Sequence, residues 1–189
     1  MKSKCVNACV KALGASVLAL SVAGCGSQQL ADYSTTTPTL SLDEYFDGPL
    51  TAWGMVQDYS DKVTRRFCVE LDGNWQGNDG VLAEKFYFAD GEISYRTWKL
   101  TKNGSSYTGT AEDVEGTASG ATEGFAFQWQ YNLQLEIDDT QYVFFLDDWM
   151  YQLDQYRVFN RTSMKKFGIE VAHLTIFFDK QQPNRTCNS

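Results

Sequence analysis

The sequence predicts an all-β domain, an antiparallel up-and-down β-barrel of about nine or ten strands with one short N-terminal helix. Three observations carry this. The 189 residues include 12 Phe, 10 Tyr and 5 Trp, residue types that favour strands. Apolar and polar residues alternate over long stretches, the period of a strand with one buried face. Turn signals recur at short intervals, and no connection is long enough for a parallel crossover. The chain is 43% hydrophobic and 21% charged, with 15 Gly and 3 Pro. That balance fills one core and excludes disorder, collagen, coiled coil and a multi-span membrane protein.

The elements follow in order. Ser41-Leu42-Asp43-Glu44 fits a capping box, with Tyr45 and Phe46 as apolar followers and Gly48-Pro49 as a stop, which predicts a helix over 42–47. Phe67, Val69 and Leu71 alternate with Cys68 and Glu70. Leu82, Glu84, Phe86 and Phe88 lead into Asp90-Gly91, a two-residue hairpin turn. Ile93, Tyr95 and Thr97 continue on the return strand, with Trp98 and Leu100 on its other face. Asn103-Gly104 marks a second hairpin, and Gly116, Gly120 and Gly124 break the following stretch into short strands. The clearest strand runs from Phe125 through Phe127, Trp129, Tyr131, Leu133 and Leu135 to Ile137. Asp138-Asp139 turns it towards Tyr142, Phe144 and Leu146. Arg157 to Met164 and Ile169 to Phe178 complete the set. An amphipathic meander leaves two exposed edges unless it closes, and closure into a barrel removes them. Polar Gln, Glu, Lys and Asp fill the alternate face. Because alternation by itself does not tell inside from outside, the shortness of the strands before 124 and the small total size place the apolar face inside, the reverse of a porin.

The first 24 residues stand apart from this pattern. Lys2, Lys4 and Lys11 precede an apolar run over 12–22, too short for a bilayer span of ~20 residues. Leu20-Ser21-Val22-Ala23-Gly24-Cys25 resembles a bacterial lipobox. That resemblance implies a signal peptide over 1–24 and a diacylglyceryl group and further acylation (palmitate among the acyl chains) on Cys25. Two or more chains hold a protein on a membrane where one is marginal. Gly26 and Ser27 in place of an acid imply sorting to the outer membrane, facing the periplasm. Residues 25–40 read as lipidated terminus and flexible tether, 41–182 as the barrel, and 183–189 as a tail. Loss of the three lysines takes the formal charge from −8 to −11, which disfavours nucleic acid as a partner. Cys5 and Cys9 leave with the signal, so Cys68 and Cys187 remain, either as a disulfide suited to an oxidising compartment or as two free thiols.

Chemistry-bearing residues are few. His173 is the only imidazole. No Gly-x-Ser-x-Gly elbow, Cys-x-x-Cys, His pair or EF-hand loop occurs, so no cofactor, metal or catalytic residue is assigned. Asp113 and Glu115 share a face and read as a solvated rim. Asp147 and Asp148 face opposite ways on a strand. Whichever points inward has Arg96 or Arg157 as candidate partner, for a structural ion pair or for anchoring a ligand head. Arg96, Asp148, Arg157 and His173 are therefore the candidate polar anchors. Phe86, Phe88, Phe125, Phe127, Trp129, Tyr131, Phe144 and Trp149 are the candidate lining. In a barrel of more than eight strands such side chains leave room for one small ligand.

Tyr45-Phe46-Asp47-Gly48, Ala52-Trp53-Gly54, Phe88-Ala89-Asp90-Gly91, Phe145-Leu146-Asp147-Asp148-Trp149-Met150-Tyr151 and Met164-Lys165-Lys166-Phe167-Gly168 resemble a family of proteobacterial lipoproteins with a lipocalin-like domain. The likeness covers about 40–180. It implies a lipocalin- or calycin-like barrel and a role near membrane lipids, and it brings no activity or site residue with it. Three functions remain open at this point. The first is a membrane-anchored periplasmic lipoprotein binding a lipid or other apolar molecule. The others are an envelope scaffold with a filled barrel, meeting a protein partner, and a small barrel-mouth enzyme acting on a lipid-like substrate.

Overall fold

The structure, a computed structural model, describes residues 27–187. The expected signal peptide and Cys25 lie outside the described residues. A 3₁₀ turn (Leu30–Tyr33) and helix α1 (Leu42–Tyr45) precede ten strands: β1 (Gly48–Asp58), β2 (Val63–Gln76), β3 (Asp79–Phe88), β4 (Ile93–Asn103), β5 (Ser106–Thr110), β6 (Val114–Glu123), β7 (Ala126–Ile137), β8 (Thr140–Gln152), β9 (Arg157–Lys166) and β10 (Ile169–Asp179). Each strand pairs antiparallel with the next, and β1 pairs with β10, so the meander closes into a barrel. The expected all-β up-and-down fold is the one observed.

Turn chemistry fixes the registers. Gly91 has φ 93°, and Gly91 N–H donates to the Phe88 carbonyl at 3.0 Å. Asp138 and Asp139 adopt φ 50° and 58°, the double left-handed conformation that a two-residue hairpin requires. Together these turns put Glu84 opposite Arg96 and Trp129 opposite Asp148.

One end of the barrel is plugged. Leu42, Tyr45 and Phe46 are buried. Tyr45 Oη donates to the Tyr156 carbonyl at 2.9 Å, and Lys102 Nζ pairs with Asp43 at 2.8 Å. Lys180 Nζ donates to the carbonyls of Glu44, Tyr45 and Asp47, groups that a helix end leaves free. The expected capping box does not form. Ser41 makes no side-chain bond to the helix backbone, because its hydroxyl is turned to the Asp43 carboxylate. Gly73 on β2 sits directly under the plug, where an added Cβ would lie 1.6 Å from the Phe46 carbonyl oxygen. Gly73→Ala therefore forces α1 off the barrel end. We expect a loss of about 1–3 kcal/mol in urea unfolding, with faster proteolysis at 41–47.

The segment expected to be a loose tether is packed against the wall from residue 28 onward. The Tyr33 ring lies 5.2 Å from Phe125, 6.1 Å from Trp149 and 5.9 Å from Tyr151. Gln28 Oε1 accepts bonds from the hydroxyls of Tyr33 and Tyr151, each at 2.8 Å. Leu40 N–H donates to the Gly124 carbonyl at 2.9 Å. The polar composition of 28–40 conceals a docking segment whose apolar contacts come from Tyr33 and Leu40.

At the other terminus a disulfide joins Cys187 to Cys68. The tail crosses the outside of β1 to reach β2. On the way the Arg185 guanidinium covers the Trp53 ring at 4.6 Å, Thr51 Oγ1 donates to the Arg185 carbonyl, and Cys187 N–H donates to Glu70.

Candidate functional site: the barrel interior

The inward faces of β1 to β4 and β7 to β10 line a cavity of about 320 Å³, at the lower end of small-molecule sites. Its floor is Leu42 and Phe46 of the plug region, and it rises between Phe67, Val69, Leu82, Phe127, Trp129, Leu133, Leu146, Leu174 and Ile176 towards Val56, Arg65 and Phe88. Trp98 stands edge-on to both Trp129 (5.7 Å) and Tyr131 (5.3 Å), a favourable geometry for the ring quadrupoles. At the open end Tyr59 and Phe167 are exposed on the turns, and Ile93 and Ile169 at the strand starts that follow them.

A belt of polar groups crosses this apolar interior at mid-height. Glu84, Arg96, Tyr131, Asp148, Asn160 and Thr162 all belong to the cavity wall. Arg96 Nε and Nη2 donate to the Asp113 carboxylate at 2.6–3.0 Å. Asp113 reaches inward because β5 is short. Its pairing to β4 ends at Lys99, and β6 pairing to β7 ends at Val114 with Leu133. The β5–β6 turn therefore falls at mid-barrel, and Asp113 fills the notch between the upper halves of β4 and β7. Gln134 N–H donating to the Asp113 carbonyl at 2.7 Å holds it there.

Glu84 Oε2 has no hydrogen-bond partner and is buried. The nearest cationic nitrogen, Arg96 Nη1, is 3.9 Å away, beyond hydrogen-bond reach. Burial pushes the Glu84 carboxyl up to about 7, against the pull of Arg96. Burial likewise lifts Asp148 to about 6, although the Thr162 hydroxyl, Tyr131 and Asn160 all hold it down. For Arg96, burial works against the charge, but Tyr131, Glu84 and Asp113 outweigh it and raise its pKa above the ordinary arginine value. Burial, followed by the Asp148 charge, raises the Tyr131 hydroxyl well above its usual value.

The sequence-predicted residues divide accordingly. Phe86, Phe88, Phe127, Trp129, Tyr131, Arg96 and Asp148 are all part of the cavity wall. Phe144 is buried on the inward face of β8, with Lys166 Nζ 5.3 Å from its ring, but it is not part of that wall. Phe125 and Trp149 are corrections. Phe125 precedes β7 and packs outside on Tyr33 and Tyr151. Trp149 follows Asp148 and so points outward, where Tyr33 covers it. Arg157 is a further correction, held on the surface by Asp154 at 2.7 Å and Gln181 at 2.6 Å. His173 also lies outside, since Ala172, Leu174 and Ile176 supply the inward parity of β10. It bridges Asp61 (2.9 Å) and Glu170 (3.2 Å), and the Asp61 bond raises its pKa. Asp113 is a correction of another kind, a half-exposed ion-pair partner of Arg96 where a freely solvated rim residue was expected. Glu84, Asn160 and Thr162 were missed. Among the described residues no group of three His, Cys, Asp or Glu side chains is placed to hold a metal, and no helix is long and apolar enough to cross a membrane.

Barrel and interior together define a small, plugged β-barrel with a mixed apolar and polar cavity. Residues 19–180 match the family described as Protein of unknown function (DUF3833), and the chain belongs to that family. No curated protein matches it.

Proposed function

We propose that this chain is a membrane-anchored lipoprotein of the cell envelope whose barrel binds a lipid or other apolar small molecule. The cavity carries the reading. A filled scaffold has no use for about 320 Å³ of space, because core voids of that size forfeit packing and cost stability. Acylation of Cys25 would supply the anchor, with the outer membrane facing the periplasm as its site. The Cys68–Cys187 bond supports an oxidising compartment. Cys25 is three residues from Gln28, which is fixed to the wall through Tyr33 and Tyr151. That span is at most about 11 Å, so the anchored barrel would ride close against its membrane.

The test is native mass spectrometry on the full chain released from its own membranes. We expect one apolar molecule per chain, lost in Leu146→Trp, which places an indole in the cavity. A wild-type protein that carries nothing and takes up no added lipid would overturn the binding reading. In parallel, Cys25→Ala should move the protein from the membrane to the soluble fraction, and retention on the membrane would overturn the anchor.

A further inference from the structure

The polar belt is more selective than the word apolar conveys. Glu84 Oε2 is a buried oxygen without a partner, and Arg96 Nη1 faces it across 3.9 Å. Neither group satisfies the other at that separation. A single atom set between them, at ordinary hydrogen-bond distance from each, would have to give a proton to the carboxylate and accept one from the guanidinium. A hydroxyl does both at once, since it carries one donor and two lone pairs. An ammonium gives protons to Glu84 but cannot accept from Arg96. A ligand carboxylate or phosphate accepts from Arg96 but meets ionised Glu84 as a like charge. The Arg96 charge is already matched by Asp113 through three close contacts, so little of it remains for a second anion. Asp148, buried in the same cavity wall, adds a further acid.

We propose that the cavity takes an apolar molecule bearing a neutral hydroxyl, seated between Glu84 and Arg96, and discriminates against fatty acids and amines of the same length. This rests on the binding reading above. The size fits, since about 320 Å³ holds on the order of ten non-hydrogen atoms, the length of a medium alkyl chain with one oxygen. Above and below the belt the wall is apolar (Leu82 and Trp98 on one side, Phe86 and Leu133 on the other). The chain of such a ligand can therefore run either way from its head.

The test offers the full chain, in nanodiscs, an equimolar mixture of 1-decanol, decanoate and decylamine at pH 8. Retained ligand is counted by native mass spectrometry. We expect the alcohol to be retained about tenfold or more over the other two, the scale set by leaving one buried polar group unpaired. In Glu84→Leu the three should come within about twofold of one another. Glu84→Gln, which keeps a donor and an acceptor, should restore part of the preference for the alcohol. Equal or greater retention of decanoate or decylamine by the wild type would overturn the head-group assignment and leave the binding reading standing. Retention of none of the three overturns both.

Discussion

At pH 8, Glu84→Gln is expected to stabilise the barrel by about 3 kcal/mol, and at pH 4 to leave it nearly unchanged. The sign follows from linkage. Burial raises the Glu84 carboxyl from its ordinary value of 4.5 to about 7, so the folded chain binds this proton more tightly than the unfolded one. The stability that protonation supplies is complete below the unfolded pKa and is lost as pH rises through the folded one. Asp148, lifted from 3.8 to about 6, has the same sign over a lower window. Wild-type stability should therefore fall between pH 4 and 8, and the variant's decline should end near pH 6. The glutamine removes the ionisable group without stranding Arg96, which keeps Asp113. Chemical unfolding across this pH range, followed by near-ultraviolet dichroism of the cavity tryptophans, reads the difference. Parallel curves for the two proteins would show that Glu84 is already solvated in the native barrel.

Replacing both Cys68 and Cys187 by Ala is expected to cost about 3–5 kcal/mol. The bond closes a separation of 119 residues, and the chain-entropy cost of leaving so long a loop open in the unfolded state is near the top of the usual range. For a domain of this size the melting temperature should fall by roughly 10 °C or more. The tail has its own contacts, the Arg185 guanidinium on Trp53 and Cys187 N–H to Glu70, but they are exposed or half-exposed and hold it weakly. Reduction of the wild type should reproduce the double variant. A shift under 2 °C in both would mean that the tail contributes nothing to closing the barrel.

What could be read from the sequence follows from where alternation is pure. Along β7 every second residue from Phe127 to Leu135 is apolar, and the observed wall uses them all. β1 went unassigned because its outward face carries Trp53 and Met55 while its inward face includes Ala52 and Gly54. With apolar groups on both faces the period disappears. Glu84 was legible in principle. It shares the parity of Leu82, Phe86 and Phe88, and the Asp90-Gly91 turn fixes its partner across the hairpin as Arg96. A lone acid on an apolar face opposite an arginine is the signal that reading adjacent acids passed over. Asp113 was not legible, because its entry into the wall depends on β5 ending early, a length that the glycine-rich stretch does not encode as alternation. Phe125, Trp149 and the packed N-terminal segment share one cause. Outward aromatics are ordinary until a distant Tyr33 covers them, and no local pattern announces that contact. The pairing of Cys68 with Cys187 likewise exists only once β10 has closed on β1 and the tail can cross outside it.

The claim on which the function depends is that the barrel is hollow and accepts an apolar guest. Crystals of the full chain under xenon pressure test it most directly, since xenon enters apolar space large enough to hold it. The account predicts xenon, or a resident molecule in its place, beside Leu133, Leu146 and Leu174 in the wild type, and neither in Leu146→Trp. A wild-type interior closed by its own side chains, with no guest density between the plug and the mouth, would contradict it.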